Sequence, residues 1–168
     1  MSDVIVRRAA SSDVEKIVGL RLLLQQHCEK SNPSVWRITK EGERLLKQKV
    51  EIELADDDIR ILLAELKGQV IGFVQGQITR RSDYLPKIVG SISVIYVSKE
   101  FRRKGVGKRL MNEICEFFNS EKVEHLTLRY VVGNKEAEQF WRKLGFEPMI
   151  TTAGTHTKEL DFKLKTME

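Results

Sequence analysis

Apolar and polar positions along this chain change period several times, and each change predicts a different element of secondary structure. Apolar runs rich in β-branched residues predict strands at residues 4–8, 59–66, 70–79, 91–97 and 125–132. Apolar residues at helical spacing predict helices at about residues 12–27, 39–55, 105–118 and 134–144. A final pair of strands is predicted at residues 147–151 and 156–164.

Turn chemistry separates these segments and indicates how they connect. The tripeptide Lys67-Gly68-Gln69 is typical of a hairpin between two strands. Gly145 is typical of the residue that ends a helix. The order of elements mixes hairpins with strand–helix–strand crossovers. It therefore predicts an α/β domain with a mixed sheet flanked by helices, and not a doubly wound fold.

Length and composition then limit the class of protein. The 168 residues, of which 41% are hydrophobic and 32% charged, predict one globular domain spanning residues 1–168. No apolar run approaches the ~20 residues of a membrane span, so no membrane association is expected. Asp3, Arg7 and Arg8 interrupt the first residues, so no signal peptide is expected and a cytoplasmic location is predicted.

Charge and cysteine content narrow the chemistry further. The net charge of +5 favours a polyanionic ligand, of which nucleic acid is one kind. The densest basic cluster, residues 102–109, has only Phe101 nearby, so it lacks the interleaved aromatic residues of a nucleic-acid platform. Cys28 and Cys115 form neither a disulfide framework nor a metal-binding spacing, so no metal is expected.

A basic turn containing two glycines joins the strand of residues 91–97 to the helix that begins near Gly105. Gly105 and Gly107 let the backbone turn its N–H groups outward without crowding by Cβ atoms. The start of the helix adds unpaired donors and the positive end of a dipole. Four cationic side chains surround this turn: Arg102, Arg103, Lys104 and Lys108. The unit therefore predicts a cradle for a pyrophosphate.

Two common phosphate-binding loops do not fit this turn. A Walker A loop requires Ser or Thr after Gly-Lys, but Arg109 follows Lys108. The dinucleotide fingerprint requires a third glycine where Leu110 stands. The alternative to a pyrophosphate cradle is an ordinary strand-to-helix turn with a solvated basic face and no ligand.

Two motifs resemble those of the GNAT acetyltransferase superfamily. Arg102-x-x-Gly105-x-Gly107 is similar to its acetyl-CoA signature, Gln/Arg-x-x-Gly-x-Gly/Ala. The second family motif, Asn-x-x-Ala-x-x-Leu/Phe-Tyr-x-x-x-Gly-Phe, is matched at Asn134, Ala137, Phe140, Gly145 and Phe146. Both motifs occur in order behind a similar N-terminal half, so the resemblance covers nearly the whole chain.

The resemblance implies a GNAT fold, in which a mixed, mostly antiparallel central sheet has splayed central strands. It also implies direct transfer of the acetyl group of acetyl-CoA to a primary amine of a small molecule, protein or peptide. The amine acceptor is expected to enter between the connector of residues 28–37 and the loops near residues 80–86 and 152–155. The family is often homodimeric, so a homodimer is a possible assembly. The residues implied to bind acetyl-CoA are Ile95, Tyr96, Val97, Arg102, Arg103, Lys104, Gly105, Val106, Gly107, Lys108, Asn134, Phe140 and Trp141.

The chain departs from the family at both positions that handle protons. Trp141 stands where many members have a tyrosine acid, and an indole N–H does not deliver that proton. Ser93 stands where some relatives have a glutamate base; it is a candidate for ordering a water. Tyr130 is a candidate donor to the thiol, or else a half-buried strand aromatic. A non-catalytic acyl-CoA-binding module is therefore the alternative to an enzyme.

Overall fold

A computed structural model describes residues 3–32 and 37–167. Its strands are β1 Val4–Arg8, β2 Ile59–Leu66, β3 Gln69–Arg80, β4 Ile88–Val97 and β5 His125–Leu128. Its α-helices are α1 Val14–Ser31, α2 Lys40–Ala55, α3 Val106–Ser120, α4 Lys135–Lys143 and α5 Thr157–Thr166. Residues 33–36 of the predicted acceptor connector lie outside the described residues.

The five strands form one sheet in the order β1-β2-β3-β4-β5. Neighbouring strands from β1 to β4 are antiparallel, whereas β5 runs parallel to β4. The parallel pair is connected through α3, as a crossover requires. The prediction of a mixed, mostly antiparallel sheet flanked by helices is therefore confirmed.

Local chemistry fixes the turns on which this order depends. The β2–β3 hairpin turns at Lys67 and Gly68, whose φ angles of 50° and 80° lie in the left-handed region that short hairpin turns use. The hydroxyl of Thr39 accepts the N–H of Gly42 at 3.0 Å and caps the start of α2. The hairpin was predicted from these turn residues and the helix start from the apolar spacing that follows Thr39, and both predictions are confirmed.

The two faces of the sheet carry different helices. Residues Ile17 and Leu20 of α1 and Val50 of α2 pack in one buried cluster with Phe73 of β3. Successive strand residues point to opposite faces, so Gly76 faces the other way from Phe73. A Cβ at Gly76 would contact α3, which therefore covers the second face. The sheet is thus the middle layer of three.

The chain divides into two compact units, one up to Asn134 and one from Lys135 onward. The sheet and the first three helices belong to the first unit, and α4 and α5 to the second. No helix in the described part of the chain is long and apolar enough to cross a membrane.

The predicted final pair of strands is wrong, because residues 157–166 form the helix α5 and residues 147–156 have no regular structure. Leu160, Phe162 and Leu164 alternate as in a strand, but their neighbours are mostly Lys and Glu, which are good helix formers. Lys165 also pairs with Asp161 one turn earlier, at 2.7 Å. Local helix-forming chemistry therefore outweighs the alternation.

Two predicted boundaries also need correction. The strand predicted at residues 125–132 ends at Leu128, where its pairing with β4 also ends, opposite Ile92. Tyr130 therefore lies beyond the strand and is not a strand aromatic. Helix α1 continues to Ser31, so His27 lies a full turn before its end.

A buried carboxylate fixes the start of α1 to the sheet. Asp13, only 2% exposed, accepts two hydrogen bonds from the Arg7 guanidinium, at 2.7 and 2.9 Å. It also accepts the backbone N–H of Ala10 at 3.0 Å and the ammonium of Lys16 at 3.2 Å. The hydrogen bonds from Arg7 hold the pKa of the Asp13 carboxyl well below its usual value of 3.8.

We expect Asp13 to make folding stability depend on acid. Because its folded pKa is depressed, its contribution is present above pH 3.8 and is lost as the pH falls further. Asp13→Asn should therefore lower the free energy of unfolding by about 1–2 kcal/mol at pH 7. Urea unfolding of both proteins at pH 7 and at pH 2.5 measures this. An equal difference at the two pH values would contradict the assignment.

Candidate active site

One edge of β4 is unpaired along the half of the strand that leads to the basic turn. β4 pairs with β5 only from Val89 to Ile92. In the described part of the chain, no strand pairs with this edge from Ser93 to Val97. The sheet is therefore open between its two parallel strands, as the splayed strands of the predicted fold require.

An irregularity in β4 marks where the two strands separate. Gln75 of β3 lies opposite Val94, but the next residue, Gly76, lies opposite Ile92. Ser93 is therefore an extra residue in β4, which is the arrangement of a β-bulge. Bulges bend the strand that carries them, so this one accounts for the end of β5 pairing at Ile92.

Backbone hydrogen bonding indicates which groups face the open edge. Ser98 donates its N–H to the carbonyl of Ile71 at 2.9 Å. Hydrogen-bonded pairs alternate along antiparallel strands, so Tyr96 bonds towards β3 while its neighbours Ile95 and Val97 do not. The backbone N–H and C=O groups of Ile95 and Val97 therefore point to the open edge, where the carbonyl of Val97 also accepts a hydrogen bond from Nε of Arg102. An extended polar chain would find a row of partners there.

The basic turn places the start of α3 at the end of this edge. Gly105 is the N-cap of α3, and its φ of 83° is one that side-chain-bearing residues rarely adopt. The first backbone bond of the helix runs from Arg109 N–H to Gly105 O at 3.1 Å. Among the described residues no side chain caps this helix. The N–H groups of Val106, Gly107 and Lys108 consequently point out of the helix start as donors for an anion.

The cations around the turn have different roles. Arg102 is half-buried; its Nε donates to the carbonyl of Val97 at 2.9 Å, and its guanidinium carbon lies 5.6 Å from the Tyr96 ring centre. Arg102 thus joins the turn to the strand. Arg103, Lys104 and Lys108 are exposed and supply positive charge at the helix start.

The structure places Tyr130 and Asn134 in the irregular segment that follows β5. Tyr130 is half-buried and belongs to no regular element. Asn134 donates its backbone N–H to the carbonyl of Val131 at 3.0 Å, which closes a turn. Ser93, the other predicted catalytic residue, is exposed on the bulge.

Phe140 and Trp141 lie on α4 in the second unit. Trp141 is 4% exposed, and its ring lies edge-on to Phe140 and Phe146, with centres 4.9 and 5.4 Å away. The helix ends at Lys143, and Gly145 follows with a φ of 85°. Trp141 is therefore the centre of an aromatic cluster, as a packing role requires.

The two thiols have the properties of unreactive cysteines. Burial raises the pKa of both Cys28 and Cys115, and Glu29 raises that of Cys28 further. A raised pKa disfavours the nucleophilic thiolate. The described residues contain no group of three or more His, Cys, Asp or Glu side chains that could hold a metal.

One buried polar cluster was not predicted from the sequence. Arg21 of α1, Glu53 of α2 and Gln75 of β3 meet behind the bulge of β4. The available signal was a charged residue within the apolar run Leu20-Arg21-Leu22, which is typical of a buried charge that has a partner. The partner lies 32 residues away, and the sequence pattern does not identify it.

Comparison with known proteins decides the family. The model of the acetyltransferase (GNAT) family matches residues 22–146, which is well over half of the chain. The chain belongs to the GNAT family. That match includes the glycine turn and the motif of α4, the two segments that carried the resemblance in the sequence.

One curated N-acetyltransferase and two solved structures are similar to this chain. An uncharacterised N-acetyltransferase of Methanocaldococcus jannaschii is 31% identical over 91 residues, which are 54% of this chain and 40% of that protein. The match thus spans less than half of the relative's length.

The structures are a tetramutant of the BH1408 protein of Bacillus halodurans and an aminoglycoside N-acetyltransferase in complex with CoA. The first has a TM-score of 0.80 at 16% identity, and the alignment covers 90% of this chain and 99% of that one. The second has a TM-score of 0.70 at 20% identity and covers 92% and 94%. At these identities the two structures establish the GNAT fold alone.

Proposed function

We propose that this GNAT protein is an acetyl-CoA-dependent N-acetyltransferase that transfers the acetyl group directly to a primary amine. The observation that carries the proposal is the open edge of β4, which ends at the uncapped start of α3. A ligand with an extended amide-containing arm and a diphosphate at one end matches both features. CoA is such a ligand.

The first unit supplies the groups that would hold CoA. The backbone of Ile95 and Val97 would pair with the pantetheine arm, as a sheet edge pairs with an added strand. The N–H groups of residues 103–108 would bind the diphosphate, with the exposed cations adding attraction. The side chains of Tyr96 and Arg102, which lie against each other, would line the site between the pantetheine arm and the diphosphate. Asn134, Phe140 and Trp141 stay predicted contacts on the strength of the family motif.

Acetyl-CoA supplies an activated acyl group, and the chain's own task is to orient an amine and to accept its proton. Ser93 lacks useful basicity but carries a hydroxyl on the bulge, where it would order a water. Tyr130 is the proposed proton donor to the departing thiolate. With these weak groups, the main catalytic contribution would come from positioning the two reactants.

The candidate acceptors come from the range of substrates in the family and not from this chain's geometry. The solved aminoglycoside N-acetyltransferase makes aminoglycosides one class to test, beside polyamines, amino acids and peptide N-termini. We propose a cytoplasmic enzyme of one catalytic domain over residues 1–168, acting alone or as a homodimer. No nucleic acid, membrane or metal is required by this proposal.

The decisive experiment incubates the protein with acetyl-CoA and each class of amine. Mass spectrometry should detect an acetylated amine, and thiol release should require that amine. CoA binding without turnover of any amine would favour the alternative, a non-catalytic acyl-CoA-binding module. That alternative draws its support from Ser93 and Trp141, which stand where relatives have a base and an acid.

We expect the rate to follow deprotonation of the acceptor itself. A lysine-type amine has a pKa near ~10.4 and must lose its proton to attack. kcat/KM should therefore rise with pH towards the acceptor's pKa, and the inflection should move between acceptors of different basicity. A pH–rate series with two such acceptors at saturating acetyl-CoA measures this.

One result would contradict this expectation. A common inflection near ~6.5 with both acceptors would place an enzyme group, most simply a histidine, in control of the rate. His27→Ala would then be the first variant to examine. A moving inflection supports proton loss from the amine without a dedicated base.

A further inference from the structure

A buried polar cluster connects three elements directly behind the bulge of β4. Nη2 of Arg21 on α1 donates to Oε2 of Glu53 on α2 at 2.5 Å, and also to Oε1 of Gln75 on β3. The exposed fractions of these residues are 9%, 9% and 3%. We call these three residues the Arg21 cluster.

Gln75 brings this cluster to the irregular point of the sheet. It lies opposite Val94, and the register changes between Gln75 and Gly76 because Ser93 is the extra residue. Directly opposite residues have Cβ atoms about 4.5–5.5 Å apart. The Arg21 cluster is therefore one strand spacing from the backbone that begins the open edge.

The opposite face of the bulge is also held closely. A Cβ placed on Gly76 would lie 2.6 Å from Cζ of Phe118 and 3.0 Å from Cγ1 of Ile114, both on α3. The sheet at the bulge thus lies between α3 on one face and the Arg21 cluster on the other. A shift of β3 at this point would have to displace one of them.

Packing alone does not account for the Arg21 cluster. A buried ion pair loses much of its attraction to desolvation, and apolar residues of similar volume are often as stabilising or more so. Nε of Arg21 is buried and has no acceptor among the described residues, which adds a further cost. Such a cluster provides a defined geometry between the elements that it joins, because hydrogen bonds fix both distance and angle.

We propose that the Arg21 cluster is a positioning device that fixes the bulge and thereby the open edge of β4. This inference rests on the proposed function, because that edge is where the arm of acetyl-CoA would lie. Through Gln75, α1 and α2 hold the backbone of Ser93 and Val94 in one geometry. The three residues act on the reaction through the strand, without contact with the reactants.

The test replaces the whole cluster by apolar residues of similar volume, in Arg21→Met/Glu53→Leu/Gln75→Met. The melting temperature should be unchanged or higher. Hydrogen exchange of the Val94 amide, which bonds towards β3, should become at least tenfold faster, while that of Ile114 in α3 should not change. We expect kcat to fall about 10–100-fold, because small displacements of reacting groups have such effects. KM for acetyl-CoA should rise by a smaller factor than kcat falls, because the edge that would bind the arm loses its fixed geometry while the diphosphate cradle is untouched.

A second variant and a matched control separate positioning from general stability. Gln75→Met keeps the Arg21–Glu53 pair but cuts its link to β3, and it should change exchange and kcat in the same direction. The control, Lys47→Met/Glu15→Gln, removes an exposed ion pair of 2.6 Å that also joins α1 to α2 but does not include β3. It should alter neither quantity.

Unchanged Val94 exchange and unchanged kcat in folded Gln75→Met would overturn the proposal, whether or not the triple variant folds. An equal effect of the control pair would also overturn it, since contact between α1 and α2 would then suffice. If wild-type protein acetylates no amine, the proposed function fails, while the exchange measurements still decide whether the Arg21 cluster holds the bulge.

Discussion

Gly105→Val should abolish tight binding of CoA and leave the protein folded. Gly105 has a φ of 83°, and a Cβ at this position would meet no atom within 4 Å, so valine costs backbone strain but no collision. The added side chain would stand beside the N–H groups of Val106 and Gly107, where the diphosphate is proposed to bind. Loss of about two charge-assisted hydrogen bonds corresponds to about 3 kcal/mol, or on the order of a 100-fold higher Kd.

Gly68→Val is the matched control for this change. Gly68 has a φ of 80° and equally open surroundings, but it lies in the β2–β3 hairpin. Both variants should lose similar stability by thermal unfolding, and only Gly105→Val should lose affinity in calorimetry with CoA. A folded Gly105→Val protein with wild-type affinity would remove the cradle from the CoA site.

The sequence was sufficient to predict the structure wherever interactions between residues close in the chain determine it. The hairpin at Lys67 and Gly68 and the start of α2 at Thr39 each depend on residues no more than three positions apart. The glycine turn was predictable for the same reason, because strand, turn and helix start are contiguous. Its motif was also the first to identify the family.

Long-range packing decides the features that the sequence did not reveal. β5 ends at Leu128 because its partner β4 contains a bulge, more than thirty residues earlier in the chain, that bends β4 away from it. The pairing of Arg21 with Glu53 joins two helices and leaves no periodic trace in either. In α5 the signals conflict, because Leu160 and Phe162 alternate like a strand within a segment of helix-forming residues.

The second large effect concerns the packing of α3 against the bulge, and Gly76→Val should destabilise the protein by about 3 kcal/mol. Its Cβ would approach Phe118 Cζ to 2.6 Å, and Phe118 is only 2% exposed, so the ring has no free space to enter. Valine's better strand propensity would recover less than 1 kcal/mol of this. Urea unfolding measures the difference.

Two further variants show whether contact with Phe118 is the cause of this loss. Combining Gly76→Val with Phe118→Leu should recover at least about 1 kcal/mol relative to the sum of the single changes, since the two sites share the contact. Gly19 lies on α1, and an added Cβ there would meet no neighbouring atom within 4 Å. Gly19→Ala should therefore raise the free energy of unfolding by about 0.5–1 kcal/mol, whereas Gly76→Val lowers it. If the effects of Gly76→Val and Phe118→Leu are strictly additive, glycine is required at position 76 for a reason other than contact with Phe118. The close approach of α3 to the bulge would then not explain the loss of stability.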